Sequence, residues 1–201
     1  VFAGIPDMDT AQRLYERAKP SLLETLYDRE GAYFRASADE DRVDTVATIF
    51  GARFFLDAVE CVRTQQMFRT RLRCPSGIRN FDPPYPPRDI LWPHKIVGHQ
   101  GYHNVYVWPW VTLQNIHVKI KIAQTHPEET VREQYKKEAV DDLYDAAALF
   151  TDAGGAYEIF FPDTRTPANT RWYHPPRNFM ASMATFMSAY SKLKSLGWLA
   201  A

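Results

Sequence analysis

Apolar residues recur at helical spacing over most of the chain, and two long stretches break that rhythm. Ala11, Leu14, Tyr15 and Ala18 predict a first helix capped by Asp9 or Thr10; Pro20 kinks it or opens the next turn at Ser21, and Leu22, Leu23 and Leu26 continue the stripe. Gly31–Ala36 loses the period and predicts one short strand ahead of an acidic loop at Asp39–Asp41. From Asp44, which with Thr45 is a candidate cap, Val46, Ile49, Phe50, Phe54, Leu56 and Val59 form a broad apolar face. Val62, Met67, Phe68 and Leu72 continue it as the same or a second helix, ended by Pro75 and Gly77. Gly51 inside this pattern costs about 1 kcal/mol against Ala and marks close helix packing.

The first long loop runs from Pro75 to Asn104, and its segment Asp82–Asp89 is predicted extended because each residue before a proline is pushed out of the helical region. A helix follows over about Val107–Ala123, with Pro109 in its first turn, Val111, Ile116, Ile120 and Ala123 inward, and Lys119 and Lys121 facing water. Pro127 and the pair Glu128–Glu129 announce a helix over about 127–150. The second long loop, Thr151–Pro176, holds a short strand-like run. A last helix over about 177–196 is expected to bury Phe179, Met183, Phe186, Met187, Tyr190 and Leu193 before Gly197 closes it. The expectation is therefore an all-α domain of about five or six helices with a few short strands, residues 1–201 forming one domain.

Charge narrows the partners. Basic and acidic residues balance at 24 each, so no electrostatic footprint for nucleic acid arises, and Arg63–Arg73 reads as the solvated face of a helix. No apolar run is long enough to span a bilayer, and no signal peptide is visible. Two cysteines, Cys61 and Cys74, make neither a disulfide framework nor a metal quartet; free thiols and a cytoplasmic setting are expected. The chain opens on Val1 in mid-pattern, as expected of a processed or partial chain.

Candidate chemistry concentrates in Ile90–Trp110, which holds three of the five Trp, three of the six His and two Tyr. Large rings beside neutral hydrogen-bonding groups (His94, His99, Gln100, His103, Asn104) suit a polar, uncharged, ring-shaped ligand such as a sugar, whose C–H faces stack on Trp and whose hydroxyls need donors and acceptors. The same histidines give no helical metal motif, because Gly98 and Gly101 interrupt them; no metal or other cofactor is expected. Glu158 is the carboxylate of choice. It follows Gly154–Gly155, which let a backbone approach a ligand, and its neighbours Ile159, Phe160 and Phe161 are expected to desolvate it into the range of a general base. Trp172, Tyr173 and His174 offer a second aromatic platform.

Tyr102-His103-Asn104, then Val107-Trp108-Pro109-Trp110, a Gly154-Gly155-x-Tyr157-Glu158 loop, Pro162-Asp163-Thr164 through Pro167, and a final Ser-containing helix occur in an order that resembles the C-terminal half of the (α/α)6-toroid glycoside hydrolases, of the glycogen-debranching amylo-α-1,6-glucosidase and neutral-invertase types. The resemblance runs from about Ile78 to Leu196. It implies a toroid-type partial barrel with the sugar pocket in the loops at one end. It also implies an inverting hydrolase of an α-glucoside or related neutral sugar with Glu158 as base. Tyr102, His103, Asn104, Trp108, Trp110, Trp172 and Tyr173 would contact the sugar, with His94, Lys95 and Gln100 reaching the pocket. Departures stand at Val105, where such sequences often carry Gly, and at Ala181 and Ala184, where they carry Trp and Gly. Inverting hydrolysis needs a second carboxyl about 6.5–9.5 Å from the base. Asp44 is the local candidate, with helix capping its more ordinary role. An upstream segment or second chain is the expected source otherwise, and the alternative is a non-catalytic carbohydrate-binding or assembly module.

Overall fold

The computed structural model describes residues 8–199. Among them are seven α-helices, more than the five or six expected, and two small antiparallel sheets. Helix α1 (Met8–Thr25) runs unbroken through Pro20 and buries no residue; Asp9 and Thr10 lie in its first turn, so neither is the cap of a helix beginning at Ala11. Tyr15 Oη ties it to the chain by donating 2.8 Å to the Phe54 carbonyl.

Strands β1 (Tyr27–Asp28), β2 (Tyr33–Ser37), β3 (Glu40–Asp44) and a later β6 (Phe81–Asp82) pair in that order, and β4 (Arg73–Cys74) pairs with β5 (Gly77–Ile78). The expected acidic loop is thus mostly strand. In β3 the charged residues stay at or near the surface while Val43 is fully buried, an alternation too short to be legible as period two.

Asp44 caps α2 (Thr45–Phe54), its carboxylate accepting from the Ala47 N–H at 2.9 Å. Asp57 restarts the chain as α3 (Ala58–Arg71) by the same device, so the apolar run is two helices. The contact that sets the angle of α2 is Gly51. A Cβ there would stand 2.2 Å from Phe34 Cε2 and 2.5 Å from Cζ, closer than any real contact. Phe34 is 3 % exposed and cannot swing out. Gly51→Ala is therefore expected to destabilise the fold by about 1–3 kcal/mol through overpacking, against the usual gain of Ala over Gly in a helix. Urea unfolding checks this, and a stabilised variant would show that the two elements do not meet as described.

After the short α4 (Trp92–Ile96), helix α5 (Pro109–Thr125) is the axis of the fold, packed on α2, α3, α6 (Glu129–Ala153) and α7 (Met180–Ser195). It is buried all round, with Leu113, Ile116, Val118, Ile120 and Ile122 each 2 % exposed or less. This overturns the reading of Lys119 and Lys121 as water-facing. Lys121 Nζ donates to the carbonyls of Ala52, Arg53 and Leu56 at the C-terminal end of α2, a position where a cation meets the negative end of the helix dipole. Lys119 is buried, 2.8 Å from Asp142 and 3.2 Å from Glu138 on α6. The basic run of α3 does form a solvated face, with Arg63, Gln66, Arg69 and Thr70 exposed, and its arginines also reach acids on neighbouring elements. Arg69 pairs with Glu138, Arg71 with Asp82 and Arg73 with Asp142. Between α3 and α5 a buried Gln65–Asn115 pair exchanges two amide hydrogen bonds of 2.7 and 2.8 Å.

The last helix buries Leu193 and packs Phe179 and Phe186 against the core as expected, but the rest of its inward face differs. Ser182, Thr185, Ala189 and Leu193 are buried, whereas Met183, Met187 and Tyr190 are exposed. Small residues let α7 lie close on α5, and the larger side chains line the outside.

Candidate functional site

Backbone pairing brings the two long loops together. Val107 and Phe160 exchange hydrogen bonds of 3.0 and 2.9 Å, and on the other side of 158–161 the Ala168 N–H reaches the Ile159 carbonyl at 3.1 Å. The Glu158 N–H is held by the Pro176 carbonyl at 3.2 Å. Ile159 and Phe160 are fully buried. Glu158 is therefore fixed from its backbone outward, on a rib between the loop of residues 97–108 and that of 166–176.

Its side chain is 7 % exposed and accepts from two phenols, Tyr102 Oη on Oε1 at 2.8 Å and Tyr173 Oη on Oε2. The expected apolar surroundings are corrected at this point: what touches the carboxylate is a pair of tyrosine hydroxyls. Burial pushes the Tyr102 phenol up to about 12, and its bond to Glu158 acts in the same direction. Burial and then the bond to Glu158 raise Tyr173 well above the ordinary phenol range too. Both remain hydroxyl donors at neutral pH. The glycine pair upstream has structural duties in place of the expected ligand approach. Gly154 closes α6 with a left-handed φ of 74°, and Gly155 makes room for Arg177.

An aromatic cage surrounds the phenols. His99, 2 % exposed, is wedged between Tyr102 and Tyr173 with ring centroids 4.7 and 4.3 Å away, and neither of its nitrogens has a hydrogen-bond partner. Burial, and then the neighbouring His94, hold its pKa below the ordinary imidazole value, so it is neutral at pH 7. His94 stacks on Tyr102 at 5.5 Å, and His103 lies flat on Trp108 at 5.0 Å. Among the described residues no group of three or more His, Cys, Asp or Glu is placed to hold a metal.

The structure sorts the predicted residues into three sets. Tyr102, Tyr173 and Glu158 meet directly, and His94 and His103 pack around them. Three others are scaffold. Trp108 is buried and its Nε1 donates 2.7 Å to the Tyr102 carbonyl; Trp110 packs against the main core; Asn104 clamps the Tyr85 backbone through its own Oδ1 and Nδ2. Trp172 stands apart, 63 % exposed and under the Arg171 guanidinium. Lys95 is half-buried, and Gln100 is exposed at the edge of a cavity of about 260 Å³ that His94, Tyr102 and His103 also line.

That cavity adds Phe81, Tyr85, Ile90 and Leu91, which carried no site signal in the sequence, as apolar residues in a proline-rich loop are indistinguishable there from packing. Asp44, the local candidate for an acid, has its carboxylate on the α2 cap; burial raises its pKa, and backbone hydrogen bonds from Ala47 and Val46 oppose that. No helix among the described residues is long and apolar enough to cross a membrane. No protein-family model matches the chain, and no curated protein sequence matches it.

Proposed function

We propose that this chain is the base-bearing part of an (α/α)-toroid glycoside hydrolase that acts with inversion on an α-glucoside or related neutral sugar. One observation carries the reading. A buried glutamate is held by backbone on a rib between two loops, with both carboxylate oxygens oriented by phenol donors inside a cage of aromatic rings. A carboxylate oxygen accepts two hydrogen bonds, so each oxygen of Glu158 keeps a lone pair for a water molecule after its tyrosine is satisfied. In the proposed reaction that water attacks the anomeric carbon and passes its proton to Glu158. The bond to the leaving oxygen breaks, and a general acid protonates that oxygen.

The acid is proposed to come from another segment or chain. Asp44, the local candidate, has its carboxylate engaged on the α2 cap. The arc of α2, α3, α5, α6 and α7 is the part of a toroid this chain would supply. The exposed Met183, Met187 and Tyr190 stripe of α7 is a surface that further helices of the ring would cover. A non-catalytic sugar-binding module is the second reading, favoured by the near-complete burial of a carboxylate whose two oxygens are already occupied.

Native mass with every chain identified, followed by α-glucoside hydrolysis with the product anomer read by NMR, separates the two. Inverted product, with or without a second polypeptide, is expected. Saturable sugar binding without turnover by a particle holding only this chain would move the assignment to the module.

A further inference from the structure

We propose that the cavity beside Tyr102 receives the leaving group of the glycoside, and that this leaving group is an apolar or aromatic ring and not a second sugar. The inference rests on the glycosidase reading, but its ligand class is argued from the cavity alone. Tyr102 is the shared wall: its ring lines the cavity and its hydroxyl is 2.8 Å from Glu158. A group seated there is one ring away from the carboxylate proposed to activate water.

The walls are Phe81, Tyr85, Ile90, Leu91 and the rings of His94 and Tyr102. Polar atoms that could have served a sugar on this wall are committed elsewhere. Asn104 Oδ1 and Nδ2 both bond the Tyr85 backbone, Tyr85 Oη donates to Glu40 and Tyr102 Oη to Glu158. His99 also lines the cavity, yet both its nitrogens are covered. The remaining polar groups are Asp89, Gln100 and His103, all exposed, and the half-buried His94, whose ring is stacked on Tyr102. A sugar ring pressed against the wall of Phe81, Tyr85, Ile90 and Leu91 would strip water from the hydroxyls on that side with no side-chain partner there to replace it, while a phenyl ring or short alkyl chain would lose no hydrogen bond. At about 260 Å³ the space lies just below the usual range of small-molecule pockets, about 300–1,000 Å³, and suits one ring.

The chemistry agrees. When the anomeric C–O bond breaks, a phenol departs with the electron pair as its anion and takes a proton from solvent; its pKa of about 10 makes it a far better leaving group than a sugar hydroxyl. An aryl glycoside therefore asks least of the general acid, the group proposed to come from another segment or chain.

The test is a titration of the full chain with phenol, followed by ligand-observed NMR, with glucose as competitor. Saturable binding is expected, undiminished by glucose and weakened about tenfold or more in Leu91→Asp. Leu91 is 69 % exposed, so that variant keeps its fold, which a thermal melt verifies. Displacement of phenol by glucose, or equal affinity in Leu91→Asp, overturns the proposal. Because the titration needs no turnover, the two readings fail separately. Absent phenol binding with glycoside hydrolysis intact sinks the leaving-group assignment alone. Phenol binding without hydrolysis of phenyl or 4-nitrophenyl glucosides sinks the glycosidase reading and the leaving-group role with it, and leaves the cavity's preference for an apolar ring standing.

Discussion

Glu158→Gln is expected, on the proposed mechanism, to slow glycoside hydrolysis by about 10²–10⁴-fold and to leave sugar binding in place. The amide matches the carboxylate in shape but cannot take a proton from water. It can keep the cage intact, because one phenol still donates to the amide oxygen while the other rotates its hydroxyl to accept from the amide N–H. Glu158→Leu is the contrasting variant. It removes both acceptors and leaves the Tyr102 and Tyr173 hydroxyls without partners, at about 1–3 kcal/mol for each group that stays out of water. Rates, melting temperature and sugar affinity measured on both variants keep chemistry and folding apart. The Gln variant is expected to lose rate and little stability; the Leu variant is expected to lose both. Turnover by Glu158→Gln at the parent rate would remove Glu158 from the mechanism.

The carboxylate, its tyrosine Tyr102 and the loop that bears Tyr173 were legible in the sequence because rings and hydrogen-bonding groups accumulate there without a periodic reason. Helix ends were legible where a single side chain decides them, as at Asp44 and at Pro109 in the first turn of α5. What failed was the assignment of faces. Lys119 and Lys121 read as water-facing because a lysine usually is, and only the burial of α5 on every side turns their ammonium groups to carbonyls and carboxylates of neighbouring helices. The inward face of α7 failed in part, at Met183, Met187 and Tyr190, for the converse reason: close approach to α5 selects Ser182, Thr185 and Ala189, and hydrophobicity alone points to the methionines. The role of Trp108 depends on a bond to the Tyr102 carbonyl, which no spacing rule encodes. His99 became distinctive only through what surrounds it, two phenols brought in from positions 102 and 173.

Lys119→Met is expected to cost about 3 kcal/mol, lowering the melting temperature by about 6–12 °C for a domain of this size. The lysine bridges Glu138 and Asp142 from a side chain only 8 % exposed, and Asp142 is 9 % exposed. Two effects oppose each other at such a site. Replacing a whole buried ion pair by apolar side chains is often neutral, whereas removing one partner strands the other's charge. Here the stranding wins, but partly. Arg73 remains on Asp142 at 3.0 Å and Arg69 on Glu138 at 2.5 Å, which places the cost at the low end of the range for broken buried pairs. Burial pushes Glu138 up, and the hydrogen bonds from Gln134 and Arg69 together with the charge of Lys119 hold it below the ordinary carboxylate value. Loss of the lysine therefore also weakens the hold on Glu138 and makes stability fall sooner as pH drops toward the carboxylate range. Adding Asp142→Leu to Lys119→Met is expected to recover most of the loss, since the stranded carboxylate goes and Arg73, whose side chain is 34 % exposed, can turn to water. Urea unfolding of the two single variants and the double variant closes the cycle. If the double variant loses the sum of the two single losses, Lys119 and Asp142 act independently, and α5 and α6 are joined by their apolar seam alone.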